Sequence, residues 1–292
     1  MARKILTATL SLLTIGVAGA LTAVPAVAVA PDDPITSLHD FDGDGDADLI
    51  TRDAAGRLVL HPGDGTGTID PTDGRLLGIG FRHAVLIPAG DVDDDGKNDL
   101  LGVHAGTMWL YRGDGAGHLA RPVGHLVSSG WARFDELVAA DVDGDGYEDL
   151  YALDRARGQV VLYLGREGVA FSPPRLVISS GARSWDQLTV LDLDADGALE
   201  MLVRDTRTGR LLDYPLRADG TVAVQGLTIV GTGWNPFHDL AVLGDFAING
   251  RTEVFGITRG GVLLRYDART NGSLGRAADY GALWGPVPVT LL

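Results

Sequence analysis

The 292-residue chain contains no cysteine, so no disulfide can brace its fold. Basic residues are also scarce, since 24 Lys and Arg stand against 39 Asp and Glu and give a formal net charge of −15. A protein that binds nucleic acid needs a basic footprint, so the composition argues against that class of partner. The stability of the fold must therefore come from packing and other non-covalent interactions.

Motifs of the common enzyme classes are missing as well. The sequence has no nucleophile elbow, no H-E-x-x-H zinc helix, no P-loop and no dinucleotide-binding fingerprint. Its seven histidines occur singly, at residues 39, 61, 83, 104, 118, 125 and 238. We therefore predict that the protein is not an enzyme.

The N-terminus has the layout of a secretory signal peptide. Arg3 and Lys4 precede an apolar stretch over about residues 5–21, and a segment of small residues follows it. Cleavage after Ala28 fits an A-x-A site, and cleavage after Ala30 is the alternative. An uncleaved membrane anchor is a further alternative, although the apolar stretch is near the short limit for spanning a bilayer.

We accordingly divide the chain into a signal peptide (1–28), a short extension (29–34) and one domain (35–292). About 260 mature residues could form one or two domains, but no Pro/Ser-rich linker divides them. The expected product is a secreted, extracellular monomer with no membrane span after signal cleavage.

What the chain does contain is a repeated acidic loop. Loops 1 to 5 begin at intervals of 50 to 53 residues, at Asp40, Asp91, Asp141, Asp192 and Asp245. Loops 1 to 4 read D-x-D-x-D-G-x-x-[DE]. Carboxylates so close together repel one another unless a cation lies between them, and Ca²⁺, with its six to eight oxygen ligands, is the natural candidate.

The predicted ligands are the side chains at loop positions 1, 3, 5 and 9 and the backbone carbonyl at position 7. Loop by loop they are Asp40, Asp42, Asp44, Asp46 and Asp48; Asp91, Asp93, Asp95, Lys97 and Asp99; Asp141, Asp143, Asp145, Tyr147 and Asp149; and Asp192, Asp194, Asp196, Ala198 and Glu200. Loop 5 keeps Asp245 and Glu253 but has Ala247 and Asn249 at positions 3 and 5. We expect this site to be weak or empty, and about four Ca²⁺ ions in all.

An EF-hand is excluded by position 12 of the loops, where that motif requires a bidentate Glu. Those positions hold Thr51, Gly102, Ala152, Val203 and Gly256. The segments after the loops are short, apolar and rich in strand-forming residues, so the loops are predicted to join strands.

Each repeat has the strand content of a propeller blade. The unit around loop 3 divides into four strands, at about residues 136–140, 149–153, 159–163 and 175–179. Four antiparallel strands in about 50 residues predict an all-β fold, a β-propeller of four-stranded antiparallel blades. Residues 35–39 and 287–291 are candidate innermost strands at the two ends of the domain. We predict five blades, closed by joining these terminal segments, with six blades, or seven with unrecognised units, as the alternatives.

One aromatic residue precedes most of the innermost strands. These residues are Phe81, Trp131, Trp185, Trp234 and Trp284. They are predicted to pack between neighbouring blades, and stacking on a ligand is the alternative role.

The loop motif resembles that of the FG-GAP/VCBS repeat proteins. It matches in full at 40–49, 91–100 and 141–150 and closely at 192–201, and the resemblance extends over essentially the whole mature chain. It implies a propeller like that of integrin α subunits, with calcium loops between the first and second strands of each blade. Members of this family include lectins and polysaccharide lyases, and others accompany peptidases, so the fold alone does not settle function.

We therefore expect a secreted calcium-binding propeller that acts as a binding scaffold for a protein or a cell-surface glycan, with structural Ca²⁺. A lectin is the first alternative, with Trp109 as the candidate for stacking on a sugar, because other blades have aliphatic residues at that position. A polysaccharide lyase built from residues of separate blades is the second. Arg112-Gly113-Asp114 is interpreted as part of the repeat's own Gly-Asp-Gly turn rather than as an adhesion motif.

Overall fold

The computed structural model describes residues 39–121, 123–223, 226–280 and 290–292. Apart from one short 3-10 helix at Ala182–Ser184, the regular elements of these residues are strands, β1 to β22 in chain order. Twenty of the strands form five four-stranded sheets, which we number as blades 1 to 5. Among the described residues, no helix is long and apolar enough to cross a membrane.

The blades follow one another along the chain. Blade 1 consists of β1 (Leu49–Arg52), β2 (Leu58–His61), β3 (Arg75–Gly78) and β22 (Thr290–Leu291). Blade 2 consists of β4 (Val85–Pro88), β5 (Leu100–His104), β6 (Thr107–Tyr111) and β7 (His125–Ser129). Blade 3 consists of β8 (Glu136–Ala140), β9 (Asp149–Asp154), β10 (Gln159–Tyr163) and β13 (Arg175–Ile178), beside a small hairpin of β11 (Gly165–Arg166) and β12 (Ala170–Phe171).

The last two blades repeat the pattern. Blade 4 consists of β14 (Trp185–Leu191), β15 (Glu200–Asp205), β16 (Arg210–Pro215) and β17 (Thr228–Thr232). Blade 5 consists of β18 (Phe237–Val242), β19 (Glu253–Thr258), β20 (Leu263–Asp267) and β21 (Ala278–Asp279).

The blades form a closed propeller. Neighbouring strands within a blade are antiparallel, and the innermost strands contact one another in the order β4, β8, β14, β18 and β22. In blade 1 the innermost strand comes from the C-terminus, and Leu291 lies opposite Thr51 of β1. The prediction of five blades is confirmed. The ring closes where β22 pairs with residues 51–52 of β1, and most of the terminal segments predicted to close it, 35–39 and 287–291, lies outside the described residues. Residues 1–38, which include the predicted signal peptide, and Trp284 lie outside the described residues.

The hydrophobic core lies mainly between blades. One cluster joins Ile87 and Leu101 of blade 2 to Leu137 and Leu150 of blade 3, and four further clusters join other neighbouring blades. Since each blade covers the apolar face of the next, no blade can bury its own face alone.

The aromatic residues before the innermost strands belong to these clusters. Phe81, Trp131, Trp185 and Trp234 are only 4–5% exposed. Each packs against a tyrosine of the third strand of its blade, with ring centroids 4.8–5.3 Å apart. Such pairs add roughly 0.5–1.5 kcal/mol beyond the burial of their area. Because each of the four is buried in a cluster that spans two blades, they pack in the core between blades and present no exposed face to a ligand.

Candidate metal centres

Loops 2 to 5 each connect the innermost strand of a blade to its second strand, and loop 1 leads directly into β1. Their backbones have positive φ at positions 4 and 6. Position 6 is glycine in all five loops, with φ between 74° and 96°. Position 4 is occupied in loops 2, 4 and 5 by Asp94, Ala195 and Ile248. A β-branched residue is strained in this region, so loop 5 keeps the shape of the loop at a cost in backbone strain.

The first aspartate of each loop holds the loop around its own carboxylate. In loop 1, Asp40 accepts hydrogen bonds from the amides of Gly43 at 2.8 Å and Gly45 at 3.1 Å. In the other loops the first aspartate accepts equivalent bonds from the amides at positions 5 and 6. The loop is therefore shaped by its own hydrogen bonds before any cation binds.

The acidic residue at position 9 connects the loop to a distant turn. Asp48 accepts hydrogen bonds from the amide of Phe41 in its own loop at 2.9 Å and from the amide of Gly63, after the third strand, at 3.0 Å. Asp99 and Asp149 accept the corresponding bonds from Gly113 and Gly165. A cation held by these carboxylates would therefore brace two segments of the blade.

Glycine is required where the turn approaches the loop. A Cβ atom added at Gly63, Gly113 or Gly165 would lie 2.0–2.3 Å from the carbonyl oxygen of the residue at loop position 8. No side chain fits at that distance. In blades 1 and 2 this residue is the first glycine of the Gly-Asp-Gly turn, which thus serves the geometry of the loop.

The position 9 carboxyls are buried where a negative charge is costly. Asp48, Asp99 and Asp149 are 0% exposed and Glu200 is 7% exposed. Burial raises the pKa of Asp48 and of Asp99 to about 7, that of Asp149 to about 6 and that of Glu200 to about 8. A cation beside these groups would favour their ionised form.

Three carboxylates converge in each of loops 1 to 4. Their ligand atoms lie within 4.8 Å of one another, from Asp40, Asp42 and Asp48; Asp91, Asp93 and Asp99; Asp141, Asp143 and Asp149; and Asp192, Asp194 and Glu200. Oxygens so spaced fit around an ion with oxygen distances of roughly 2.3–2.6 Å, as for Ca²⁺.

Buried oxygens without hydrogen-bond partners support this fit. Within the described residues they include Asp42 Oδ1, Asp93 Oδ1, Asp99 Oδ2 and Asp194 Oδ1. A buried carboxylate oxygen with no donor is costly unless a cation satisfies it. The four clusters could therefore hold metal ions, and their all-oxygen chemistry is compatible with Ca²⁺.

The remaining predicted ligands are placed differently. Asp44, Asp145 and Asp196 at position 5 accept hydrogen bonds of 2.8–2.9 Å from the position 7 amides and do not belong to the groups of three. Asp95 lies 3.4 Å from the ammonium of Lys97. Coordination by position 5, and by the position 7 carbonyls of Asp46, Lys97, Tyr147 and Ala198, stays a prediction.

In loop 5 the acidic residue at position 9, Glu253, accepts hydrogen bonds from residues of the loop itself. The amide nitrogen of Asn249 donates to Glu253 Oε1 at 2.7 Å, and the backbone amide of Ala247 donates to Oε2 at 3.1 Å. Asp245 binds backbone amides as in the other loops. The Asn249 amide supplies a hydrogen-bond donor to the position 9 carboxylate, and a weak or empty cation site at loop 5 stays a prediction.

Several contacts of the loops were not foreseen from the sequence. Arg75 and Arg112 pair with Asp42 and Asp93, the position 3 residues of loops 1 and 2. Position 8 links neighbouring blades, because the side chain of Asn98 donates to the carbonyl of Asp40 at 2.7 Å, and Thr252 donates to that of Asp192 at 2.7 Å. Comparison of aligned repeats would have singled out these positions, but not their partners.

Trp109 lies half-buried on β6, the third strand of blade 2. Its cross-strand neighbours are Gly102, which has no side chain, and Leu126, which is 65% exposed. Arg112-Gly113-Asp114 follows β6. Gly113 is buried, and Asp114 accepts hydrogen bonds from two amides of its own turn, so its carboxylate shapes that turn.

A second concave site is the central channel. It encloses a cavity of about 350 Å³ lined by the five innermost strands. Arg204 in its wall donates to both carboxylate oxygens of Asp186, at 2.7 and 2.8 Å, and to the carbonyls of Trp234 and Phe237. Burial raises the pKa of Asp239 to about 6 and that of Glu136 well above its usual range.

The fold and these loops define a five-bladed β-propeller with acidic loops that could hold metal ions. A family model described as FG-GAP-like repeat matches residues 40–101, 91–152 and 141–203. The chain belongs to this family. No curated protein sequence matches it.

Two lectins and a gluconolactonase are among the solved structures that are similar to this chain. An Agrocybe aegerita lectin that recognises non-reducing terminal N-acetylglucosamine is 18% identical, with a TM-score of 0.48 over 87% of this chain and 69% of the lectin. The BP39L lectin of Burkholderia pseudomallei is 14% identical, with a TM-score of 0.49 over 83% and 68%. The periplasmic gluconolactonase of Pseudomonas aeruginosa is 16% identical, with a TM-score of 0.40 over 86% and 71%.

Proposed function

We propose that the protein is a secreted calcium-binding propeller whose ions brace the blades, so that the rigid ring serves as a scaffold for a protein or a cell-surface glycan. The observation that carries this proposal is the repeated convergence of three carboxylates in loops 1 to 4, with the position 9 acid connecting each of loops 1 to 3 to the turn after the third strand. An ion at such a point restrains two segments at once.

The expected contribution of the ions is large. A site with Kd near 10⁻⁴ M adds about 1.4 kcal/mol of stability in millimolar Ca²⁺. Four such sites together supply roughly 5–6 kcal/mol, which is comparable to the net stability of a whole domain. Calcium therefore decides whether the ring is stable outside the cell, where no disulfide supports it.

The test is a count of bound ions by calorimetry and metal analysis on metal-stripped mature protein. We expect about four Ca²⁺ per chain, and Mg²⁺ should bind more weakly because it demands a smaller, octahedral set of ligands. A protein that binds no Ca²⁺ would refute the proposal.

We also propose that the protein is exported, because residues 1–28 have the layout of a secretory signal peptide. N-terminal sequencing of the protein secreted by a bacterial host should begin at Val29. A start at Pro31 would indicate cleavage after Ala30, and retention of residues 1–28 would contradict export by a cleaved signal.

A second candidate function is glycan binding, favoured by Trp109. This indole has glycine on one cross-strand side, and aromatic faces stack on the apolar faces of sugar rings. A glycan array probed with the native protein and with Trp109→Ala tests this function, with Trp185→Phe, a conservative change of a buried tryptophan, as the control. Loss of glycan binding in the Trp109 variant alone would support the lectin function. If the native protein binds no glycan, a scaffold for a protein partner is the function that stands.

We further infer that the protein acts by binding rather than by catalysis. His61 is buried beside the Thr51 hydroxyl, and burial lowers its pKa to about 4, so it is a neutral structural residue. Incubation with uronic-acid polysaccharides should release no unsaturated product. Release of such products would favour the lyase instead.

A further inference from the structure

Two arginines lie against the metal clusters of loops 1 and 2. Arg75 Nη1, on β3, lies 3.1 Å from Asp42 Oδ2, and Arg112 Nε, after β6, pairs with Asp93 Oδ2. Asp42 and Asp93 occupy position 3, and each contributes to the group of three carboxylates in its loop. Both aspartate side chains are only 10% exposed, whereas both arginines are 45% exposed.

Loops 3 and 4 lack this feature. Among the ion pairs of the described residues, none involves Asp143 or Asp194, the residues at position 3 of these loops. The residue that corresponds to Arg112 is Leu164 in blade 3 and Pro215 in blade 4. Arg175 of blade 3 holds the place on the fourth strand that Arg75 holds in blade 1, but it forms none of these ion pairs. The four clusters therefore fall into two pairs, because an arginine pairs with the position 3 aspartate only in loops 1 and 2.

A guanidinium at this place opposes a divalent cation in two ways. It pairs with Oδ2 of a carboxylate whose Oδ1 is free for the ion and so neutralises part of the negative charge that the ion would meet, and it repels the ion by its own charge. The opposition persists at every physiological pH, because arginine does not lose its proton in proteins.

We propose that Arg75 and Arg112 weaken cation binding at loops 1 and 2, so that the propeller has two tight sites, in loops 3 and 4, and two weak ones. This inference rests on the proposed binding of Ca²⁺. A unit charge about 5 Å from a divalent ion lowers its affinity by about tenfold even at the dielectric constant of water. The tight pair fills first, and the weak pair responds to the extracellular Ca²⁺ concentration.

The test is Ca²⁺ titration calorimetry of the mature chain in four forms: native, Arg75→Gln, Arg112→Gln and the double variant. Glutamine keeps much of the length of the side chain without its charge. The control is Arg57→Gln, because Arg57 is also exposed and also pairs with an aspartate, Asp53, but lies outside the clusters. Melting temperatures at saturating Ca²⁺ verify that each variant is folded.

We expect two classes of sites in the native protein and about tenfold tighter binding at one weak site in each single variant. The double variant should show four nearly equal sites, and the control should match the native protein. Four equal sites in the native protein, or variants that bind Ca²⁺ no tighter, would overturn the role of the arginines while leaving the calcium scaffold intact. No binding by any form would refute the scaffold itself.

Discussion

Glu136 of blade 3 accepts a hydrogen bond of 3.0 Å from the backbone amide of Leu188 in blade 4. The relation recurs one blade further on, where Gln187 accepts from the amide of Leu240 at 3.1 Å, and again where Asp239 accepts from that of Leu291 at 3.0 Å. An innermost strand has no partner strand on its channel side, so its amides need other acceptors. These side chains supply them and connect each blade to the next.

The innermost strands are thus held near both ends. In blade 3, β8 begins with Glu136, which reaches the neighbouring blade, and loop 3 with its metal cluster follows its last residue, Ala140. The hydrogen bond of Glu136 is independent of metal, whereas the restraint at loop 3 depends on a bound cation in our proposal.

Replacing Glu136 by alanine should destabilise the protein, because the amide of Leu188 would lose its acceptor. We expect a loss of about 1–3 kcal/mol in the free energy of unfolding, measured by urea denaturation in saturating Ca²⁺. Glu136→Gln is the matched control, since Gln187 makes the same bond in the next blade. If alanine and glutamine behave alike, the bond between the blades has no energetic role.

Loops 3 and 5 should respond differently to mutation. Asp143→Ala removes a ligand and should remove one bound Ca²⁺ together with the stability that this ion confers. Asn249→Ala should leave the ion count unchanged, although it should cost about 1–3 kcal/mol at any Ca²⁺ concentration because Glu253 loses its amide donor. Metal analysis and melting curves of both variants check this, and a lost ion in the Asn249 variant would mean that loop 5 is a functional site.

Gly165→Ala should be severely destabilising. The added Cβ would lie 2.3 Å from the carbonyl oxygen of Glu148. It would displace the backbone amide of residue 165, which donates a hydrogen bond of 2.7 Å to Asp149. We expect a loss of more than about 2 kcal/mol and weaker Ca²⁺ binding at loop 3. Gly260→Ala is the control, since its nearest neighbouring atom would be 3.7 Å away, and an equal loss in both variants would contradict the assigned close approach.

The pH dependence of stability should reverse sign with calcium. Burial raises the pKa of Asp48 and Asp99 from 3.8 to about 7 in the folded chain without cation. The folded state then binds these protons more tightly than the unfolded state, so their contribution to stability falls as the pH rises from about 4 to about 7. Bound Ca²⁺ favours the ionised carboxylates and should cancel or reverse this fall.

Melting curves of metal-stripped protein between about pH 5 and about pH 8, with and without Ca²⁺, measure this effect. Other carboxyls titrate in the same range, so the informative quantity is the difference between the two curves. A difference that does not grow with pH would contradict the assigned burial of these groups.

The sequence predicted the parts of the fold that are local. Strand β8 occupies the predicted residues 136–140 and β10 the predicted 159–163, because the acidic loop, a turn and short continuous apolar runs specify both within a short window. The convergence of positions 1, 3 and 9 also follows from the spacing within a single loop.

The contacts that the sequence did not predict depend on how strands and blades pack against one another. Glu136 and Leu188 are 52 residues apart, and Asp42 and Arg75 are 33 apart. No pattern within one repeat specifies which side chain of the next strand or blade lies opposite. The Asn249–Glu253 bond was missed for another reason, since the loss of acidic residues in loop 5 indicates a weak site but does not show that the Asn249 amide donates to Glu253.

The central claim is that Ca²⁺ braces the propeller, and it is tested most directly by the melting temperature of the mature protein in EGTA and in millimolar Ca²⁺. A contribution of roughly 5–6 kcal/mol corresponds to a rise of about 10–20 °C for a domain of this size. We predict such a rise, with full recovery when Ca²⁺ is restored after chelation. An unchanged melting temperature would contradict the account.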